Sequence, residues 1–472
     1  MLQHGMNTYK DDTGVVAVST AAVGIPCYIG AWPCHLGGGF TGKPQIATTY
    51  TEAVELGGYL KEWRNEDGTP KWSLCQAMYA HFILGGMSPA IFYNIFNPAE
   101  HKKEVPADVF DVTEHSVEIL GDALINDNLV VKDADVTLEK GTDYEVFYAG
   151  GALCIELVEE SKHYGATQLT IGYDVADLSA ITAEDVELAA EKVEMCRSVV
   201  GIVPDLLCAP GWSVNPTVAA VMAAKAPSIN GLFRAKPVVD IDSKQAGTYS
   251  KVLDVKNNNG YTSEDMIVCW PMVKNGDYIF DLSVIVCAAI AKVDSGNGNC
   301  PYESPSNKSI PITGTVDAFG NEITLSLPQA DIVSVNAGVV TAINNGGWTL
   351  WGNYLGCYPK VTDVAKMYIC TSRVQDWLCN TFINTFWQYI DRPLTPVMRD
   401  AIINAYNSWL NGLTAEGKIY GGEISYSDEL NPVTSLMAGM FRLDCQAASP
   451  VPAQRIDMHI KYSVEMLQAA MT

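Results

Sequence analysis

The sequence predicts an α/β chain of several domains: a central, mostly parallel sheet covered by helices, an inserted small all-β domain, a C-terminal α/β domain, and extended arms at both ends. Three observations carry this. Apolar runs of strand length at 25–32, 90–96, 205–208, 236–241 and 266–270 alternate with helical spacing, as expected of strands buried on both faces. Between 105 and 178 the texture changes to SVEIL, NLVV, ADVTL, YEVFY, ALCIEL and QLTIGY, separated by Asp, Gly and Asn turns. Beyond 344 a tryptophan-rich stretch reads as two helices followed by more strands.

At 472 residues, with 48% hydrophobic and 18% charged residues, the chain has enough apolar surface for two or three cores, which argues against disorder. A formal charge of -24 argues against nucleic-acid binding, because phosphate contacts need clustered Lys and Arg. The thirteen cysteines are scattered in apolar runs such as MIVCW and SVIVCAAI, with no C-x-x-C pair, as buried thiols in a reducing cytosol would be. No secretory pattern opens the sequence. The apolar run 282–291, bounded by Asp281 and Lys292, is much shorter than the ~20 residues of a membrane span, so a core helix is expected.

In chain order, residues 1–22 hold small residues and one β-prone run containing Val15, Val16 and Val18, and read as an arm. The first part of the core is 23–104, with a strand, a loop at Gly37, Gly38 and Gly39, a helix around Trp72 to Phe82 and a second strand. Residues 105–178 form the insert, where sixteen Asp and Glu against three Lys place more than half of the net charge. Residues 179–343 return to α/β texture, with helices through Arg197, over 217–224 and over 281–291, and short strands at 323–327 and 332–336.

The segment 344–448 anchors the C-terminal half. Trp348, Trp351, Trp377, Trp387 and Trp409 are five of the ten tryptophans, so a well-packed element is expected. One helix starts near Thr362 and Asp363 and carries Val364, Met367, Val374, Trp377, Leu378, Phe382, Phe386, Trp387 and Ile390 inward until Pro393. Thr395 and Pro396 open a second, with Ile402, Ala405, Tyr406 and Trp409 on its apolar face and Gly412 at its end. Strands follow at 418–426 and 440–445. In the final segment, 449–472, Ile456, Met458, Ile460, Tyr462 and Val464 alternate with polar residues behind a stiff Pro450-Val451-Pro452 spacer. Such a strand has one apolar face and must pair with something; it can reach a neighbour.

The chemistry of enzymes is poorly represented. No histidine occurs between 164 and 458, so a Ser-His-Asp or Cys-His site cannot be built from the main α/β domain alone. Gly37 to Gly39 lack a following G-K-[ST], and Pro210-Gly211-Trp212 lacks G-x-G-x-x-G, so both read as turns. Asp240 and Asp242 share a strand face and read as solvated. Adjacent Cys34 and His35 are a poor metal geometry, although they and His81 are where an unrecognised enzyme site would be sought. No catalytic residue, cofactor or metal is assigned.

WGNYLGCY, the long helix after it, DRPLTPVMRDAIINAYNSWLNGL and a strand-forming tail come in an order that resembles the contractile tail sheath family. PDLLCAPGWSVNPTVAAVMAAKA and IVCWPMV extend the resemblance more loosely across most of the chain. It implies a non-catalytic subunit stacked in hexameric rings around an inner tube protein, with baseplate and tail terminator proteins as further partners. Assembly in bacterial cytoplasm, an outward-facing insert and a subtilisin-like but inactive central domain are also implied. The family's tube-facing helix would fall on 362–392, which makes Lys366, Arg373 and Arg392 candidate contacts. Rival readings are a cytosolic enzyme and a static tube or surface-layer protein.

Overall fold

In the computed structural model, which describes residues 17–38, 42–59, 64–65 and 68–472, a six-stranded sheet carries the main core. Its first strands are β1 (Pro26–Gly30), β2 (Pro44–Ala47) and β3 (Ala90–Asn94), and every residue of β1 and β3 is buried. Strands without a polar face need cover on both sides, which helices α1 (Tyr50–Gly57) and α2 (Ser73–Met78) begin to supply. Thr49 starts α1 by accepting the Glu52 N–H at 3.1 Å. At its other end Gly57 lies against Trp32, so closely that a Cβ there would fall 1.8 Å from the indole. Gly37 and Gly38 follow a single helical turn at Cys34–Leu36; Gly39 lies outside the described residues.

The insert comprises β4 (Lys102–Asp111), β5 (Ser116–Leu120), β6 (Tyr144–Ala149), β7 (Ala152–Leu157) and β8 (Gln168–Ala176), with a few shorter strands. β4 pairs antiparallel with β8, which brings the two ends of the insert together beside the central sheet. Val117, Ile119, Leu153, Ile155, Leu169 and Ile171 give it a core of its own. The alternation read from the sequence follows from this in β5 and β8, where one face meets that core and the other is more exposed, whereas β7, in the middle of its sheet, is buried on both faces over residues 152–155.

The chain then returns to the sheet through α3 (Ala183–Glu191), β9 (Leu206–Cys208), α4 (Pro216–Lys225), β10 (Lys236–Asp240), β11 (Ile267–Cys269) and α5 (Leu282–Gly296). The strand order is β11-β10-β9-β1-β3-β2, parallel throughout except for β2, which runs antiparallel to β3 at one edge. Eleven of the fifteen residues of α5 are buried, which accounts for its unbroken apolar run.

Two expected strands are absent. Residues 332–336 form a helical turn, continuing a short helix at Leu327–Asp331. Ser326 and Gln329 explain it: the Gln329 side chain accepts the Ser326 N–H at 2.9 Å in a capping box that the apolar spacing alone does not reveal. Residues 323–325 likewise form no strand.

The C-terminal unit comprises α6 (Ile369–Phe386), α7 (Pro396–Ala415), β12 (Gly421–Ser425), β13 (Asp444–Ala448) and a last helix, α8 (Val464–Met471). The long helix expected from 362 is broken. Asp363 caps a short turn over Val364–Met367 by accepting the Ala365 N–H at 3.0 Å, and Tyr368 is extended at φ -95° and ψ 137° before α6 begins. α7 runs past Gly412 to Ala415.

Replacing Gly57 by Ala forces its new methyl into the Trp32 indole, and overpacking of this kind costs about 1–3 kcal/mol. The expected outcome is a lower thermal midpoint for Gly57→Ala, read by circular dichroism, with native helix content at low temperature.

Candidate assembly surfaces

The C-terminal unit is built on two amphipathic helices. Val374, Trp377, Leu378 and Phe386 of α6 and Ile402, Ala405, Tyr406 and Leu410 of α7 are buried. Thr395 starts α7 by accepting the Met398 N–H at 3.2 Å, and the Tyr406 hydroxyl donates to the Leu378 carbonyl at 2.9 Å, tying the helices together. Against this pair lies a sheet of only two strands, β12 and β13, in register at Ile424 and Cys445. Asn407 of α7 holds β12 by bonds to both the N–H and the carbonyl of Ile424, at 2.8 and 3.0 Å.

The narrow sheet does not cover the helices. Between them remains an apolar groove of about 800 Å³, lined by Leu378, Phe382 and Phe386 of α6, Met398 and Ile402 of α7, and Cys445 beside β12's Ile424. Leu443 and Ala447 also line it, so one face of β13 looks into the groove. Among the described residues β13 pairs only with β12, leaving its other edge unpaired. Trp387 and Ile390, expected to point inward, are instead 54% and 63% exposed and stand at the rim, because α6 ends at Phe386; Val364, in the separate turn before α6, is exposed as well.

The C-terminal arm contacts little of its own chain. Residues 451–463 carry no regular structure, and Ile456, Met458, Ile460 and Tyr462 are 78–88% exposed. The expected strand is not formed, because no described residue of the chain bonds its backbone. Val464 departs from the expected pattern: it opens α8, where Ser463 accepts the Met466 N–H at 3.2 Å. Of the N-terminal candidates, Val15 and Val16 lie outside the described residues, and Val18 is half-buried.

The three basic candidates separate. Lys366 is half exposed and pairs with Glu264 at 2.8 Å. Arg392 is exposed, its guanidinium 5.1 Å above the Tyr389 ring. Arg373 is not on the surface: it is 4% exposed and bonds to Asp205 of the strand entry at 2.7 Å and to Asp294 of α5 at 2.5 Å. The signal was its spacing. Arg373 precedes Trp377 by one turn and so shares the inward stripe of α6, where a charge needs partners that other segments supply.

No family model matches the chain. Its sequence is 23% identical to the tail sheath protein of Burkholderia phage BcepMu over 492 residues, covering 98% of this chain and 97% of that protein. It is also 23% identical to the tail sheath protein of Escherichia phage P2 over 286 residues, 59% of this chain and 68% of the other. The chain is a relative of the contractile tail sheath proteins. Its fold agrees: the contracted sheath of the PVC extracellular contractile injection system superposes with a TM-score of 0.60 at 12% identity, covering 99% of both chains. The contracted helical sheath of the anti-feeding prophage gives 0.57 at 13%, covering 97% of this chain and 99% of that one.

In this sheath relative the residues that an enzyme would need are dispersed in packed surroundings. His81 sits in the core, its Nδ1 3.3 Å from the Tyr28 hydroxyl, and His35 packs among Trp72, Phe96 and Tyr148. Burial pushes both imidazoles down to about 4, so they are neutral at pH 7. The Cys34 thiol points at the Phe96 carbonyl, 3.7 Å away. None of the thirteen cysteines forms a disulfide, and eleven of them are buried. Among the described residues no group of three His, Cys, Asp or Glu side chains is placed to hold a metal, and no helix is long and apolar enough to cross a membrane.

Asp240 contradicts the solvated reading. It is 5% exposed at the end of β10, where its carboxylate accepts the Ser283 N–H at the start of α5 at 3.0 Å. The neighbouring Asp281 is held by Gln76 at 2.7 Å. Burial, with the charge of Asp281 beside it, pushes Asp240 up to about 8. The folded chain therefore keeps a proton that an unfolded Asp, with a pKa of about 3.9, releases. This contribution to stability is complete below about pH 4 and is lost as pH rises through 8, with a slope of at most about 1.4 kcal/mol per pH unit. Asp240→Asn cannot ionise and keeps an acceptor for Ser283; melting curves from pH 5 to 9 should show wild type losing stability relative to this variant as pH rises.

Proposed function

We propose that the chain is a structural, non-catalytic subunit of a contractile tail sheath, held in its lattice by arms that complete the C-terminal sheets of neighbouring copies. One observation carries the reading: an apolar groove beside a strand edge that no described residue pairs, in a chain whose own alternating apolar segment is exposed and has no strand partner among the described residues. The dimensions support it. Two packed helices are about 20 Å across, because axes lie 8–10 Å apart, whereas two strands spaced about 4.8 Å cover roughly half of that. About two more strands complete the layer. An arm paired with the free edge of β13 directs alternate side chains into the groove, as strand addition requires. Ile456, Met458, Ile460 and Tyr462 have that alternation, and the segment around Val15, Val16 and Val18 is the second candidate strand.

The energies suit a lattice. Burying four large apolar side chains gives roughly 6–12 kcal/mol at about 1.5–3 kcal/mol each. Association costs about 4–15 kcal/mol, so one arm holds weakly and several together hold firmly. Arms of this kind let subunits rotate as rigid bodies while the mesh stays connected. On this reading six subunits form each ring around an inner tube, Lys366 and Arg392 are candidate tube contacts, and baseplate and terminator proteins close the ends. Assembly occurs in the bacterial cytoplasm, and contraction drives the tube through a target envelope.

Electron microscopy of the protein expressed alone tests the reading. Striated hollow cylinders with six-fold end views are expected; uniform small particles under assembling conditions overturn it. Deleting residues 449–472 is expected to abolish the cylinders while moving monomer stability by no more than about 0.5 kcal/mol, because the arm is exposed. Phe382→Glu in the groove should block assembly in the same way, read by sedimentation.

A further inference from the structure

The described N-terminal residues are laced onto α6 before they enter the sheet. The Ser19 and Ala21 N–H groups donate to the Thr385 and Thr381 hydroxyls at 3.1 and 3.0 Å, and the Trp377 indole N–H donates to the Ala21 carbonyl at 3.1 Å. Ala21 is buried with the C-terminal core although it belongs to the other end of the chain. At Gly24, with φ +67°, the backbone passes so close to α5 that a Cβ would lie 2.8 Å from Ala291 Cα. Ile25 then donates to Asp205 Oδ1 at 2.7 Å, while Asp205 Oδ2 accepts from Arg373. Arg373 spans three structures: the entry to β9 through Asp205, α5 through Asp294, and α6, its own helix.

We propose that Arg373, through Asp205 and Asp294, locks residues 19–25 into one rigid body with α6 and the central sheet, so that a pull on the N-terminal arm turns the whole subunit without peeling its root away. That a neighbour pulls this arm rests on the proposed sheath function; the lock is a property of the single chain and is tested there. Its logic is geometric. The hydrogen bonds of Ser19 and Ala21 go to α6, and that of Ile25 goes to the sheet side, so the root crosses the boundary between two cores. Without a tie between α6 and Asp205, each core could move while carrying only part of the root. A second tie runs alongside, where Lys236 of β10 pairs with Asp376 of α6 at 2.7 Å.

Hydrogen exchange read by mass spectrometry on the full-length monomer tests this. In wild type, residues 19–25 should exchange as slowly as α6 and β9, in one cooperative opening. In Arg373→Met/Asp205→Asn/Asp294→Asn, which removes all three charges together, 19–25 should exchange at least about tenfold faster than β9. Thr381→Val/Thr385→Val keeps the charges and should release Ser19 and Ala21 while Ile25 stays protected; this variant decides the matter if the triple variant does not fold. Fast exchange of 19–25 in wild type, unchanged protection in the triple variant, or joint release of Ile25 with Ser19 and Ala21 in the threonine variant would each overturn the lock. None of these readings depends on cylinders forming.

Discussion

A pair of helices backed by a sheet of two strands is an incomplete layer, and much of the C-terminal half is arranged around that shortfall. Apolar surface on α6 and α7 remains open beside β13, whose outer edge pairs with no strand among the described residues. Both deficits have the same remedy, a strand with one apolar face. The segment 456–462 has that face, and among the described residues of its own chain it finds nothing to set it against. Groove and arm are complementary in chemistry but belong to one polypeptide, which is the condition for a repeating, head-to-tail assembly.

The other constraint is how such a unit stays attached to the central sheet. Charges buried at a boundary cost desolvation and are tolerated only with partners. Arg373 has two, from different segments, and Lys236, which also holds Asp265 on its own side, pairs with Asp376 across the same boundary. Apolar contacts alone would let the units slide, whereas directional bonds to fixed carboxylates set one relative orientation. The insert has a core of its own and carries much of the net negative charge, and it meets the main body through Asp122, which bonds to Lys71 and Trp72, and through Tyr148, which packs on His35.

Much of this was legible from local sequence. The strands at β1, β3, β9, β10 and β11, the core helix α5, the all-β texture of the insert and the Thr395-Pro396 start of α7 follow from apolar period, turn residues and caps, which depend on neighbours a few positions away. The errors have local causes too. The Ser326 capping box outweighed the β-prone spacing at 332–336, and Tyr368 interrupted a helix whose periodicity runs through it.

The sequence by itself determined the kinds of element, the acidity of the insert and the presence of an amphipathic strand in need of a partner, because side-chain period and composition record how each segment meets water. Only the tertiary structure decided that Arg373 and Asp240 are buried, since burial of a charge depends on partners supplied from 79 to 168 residues away for Arg373 and 43 for Asp240. It also decided that the helix pair is half covered. A groove is a missing neighbour, and no residue pattern within either helix records how many strands the rest of the chain leaves to cover it.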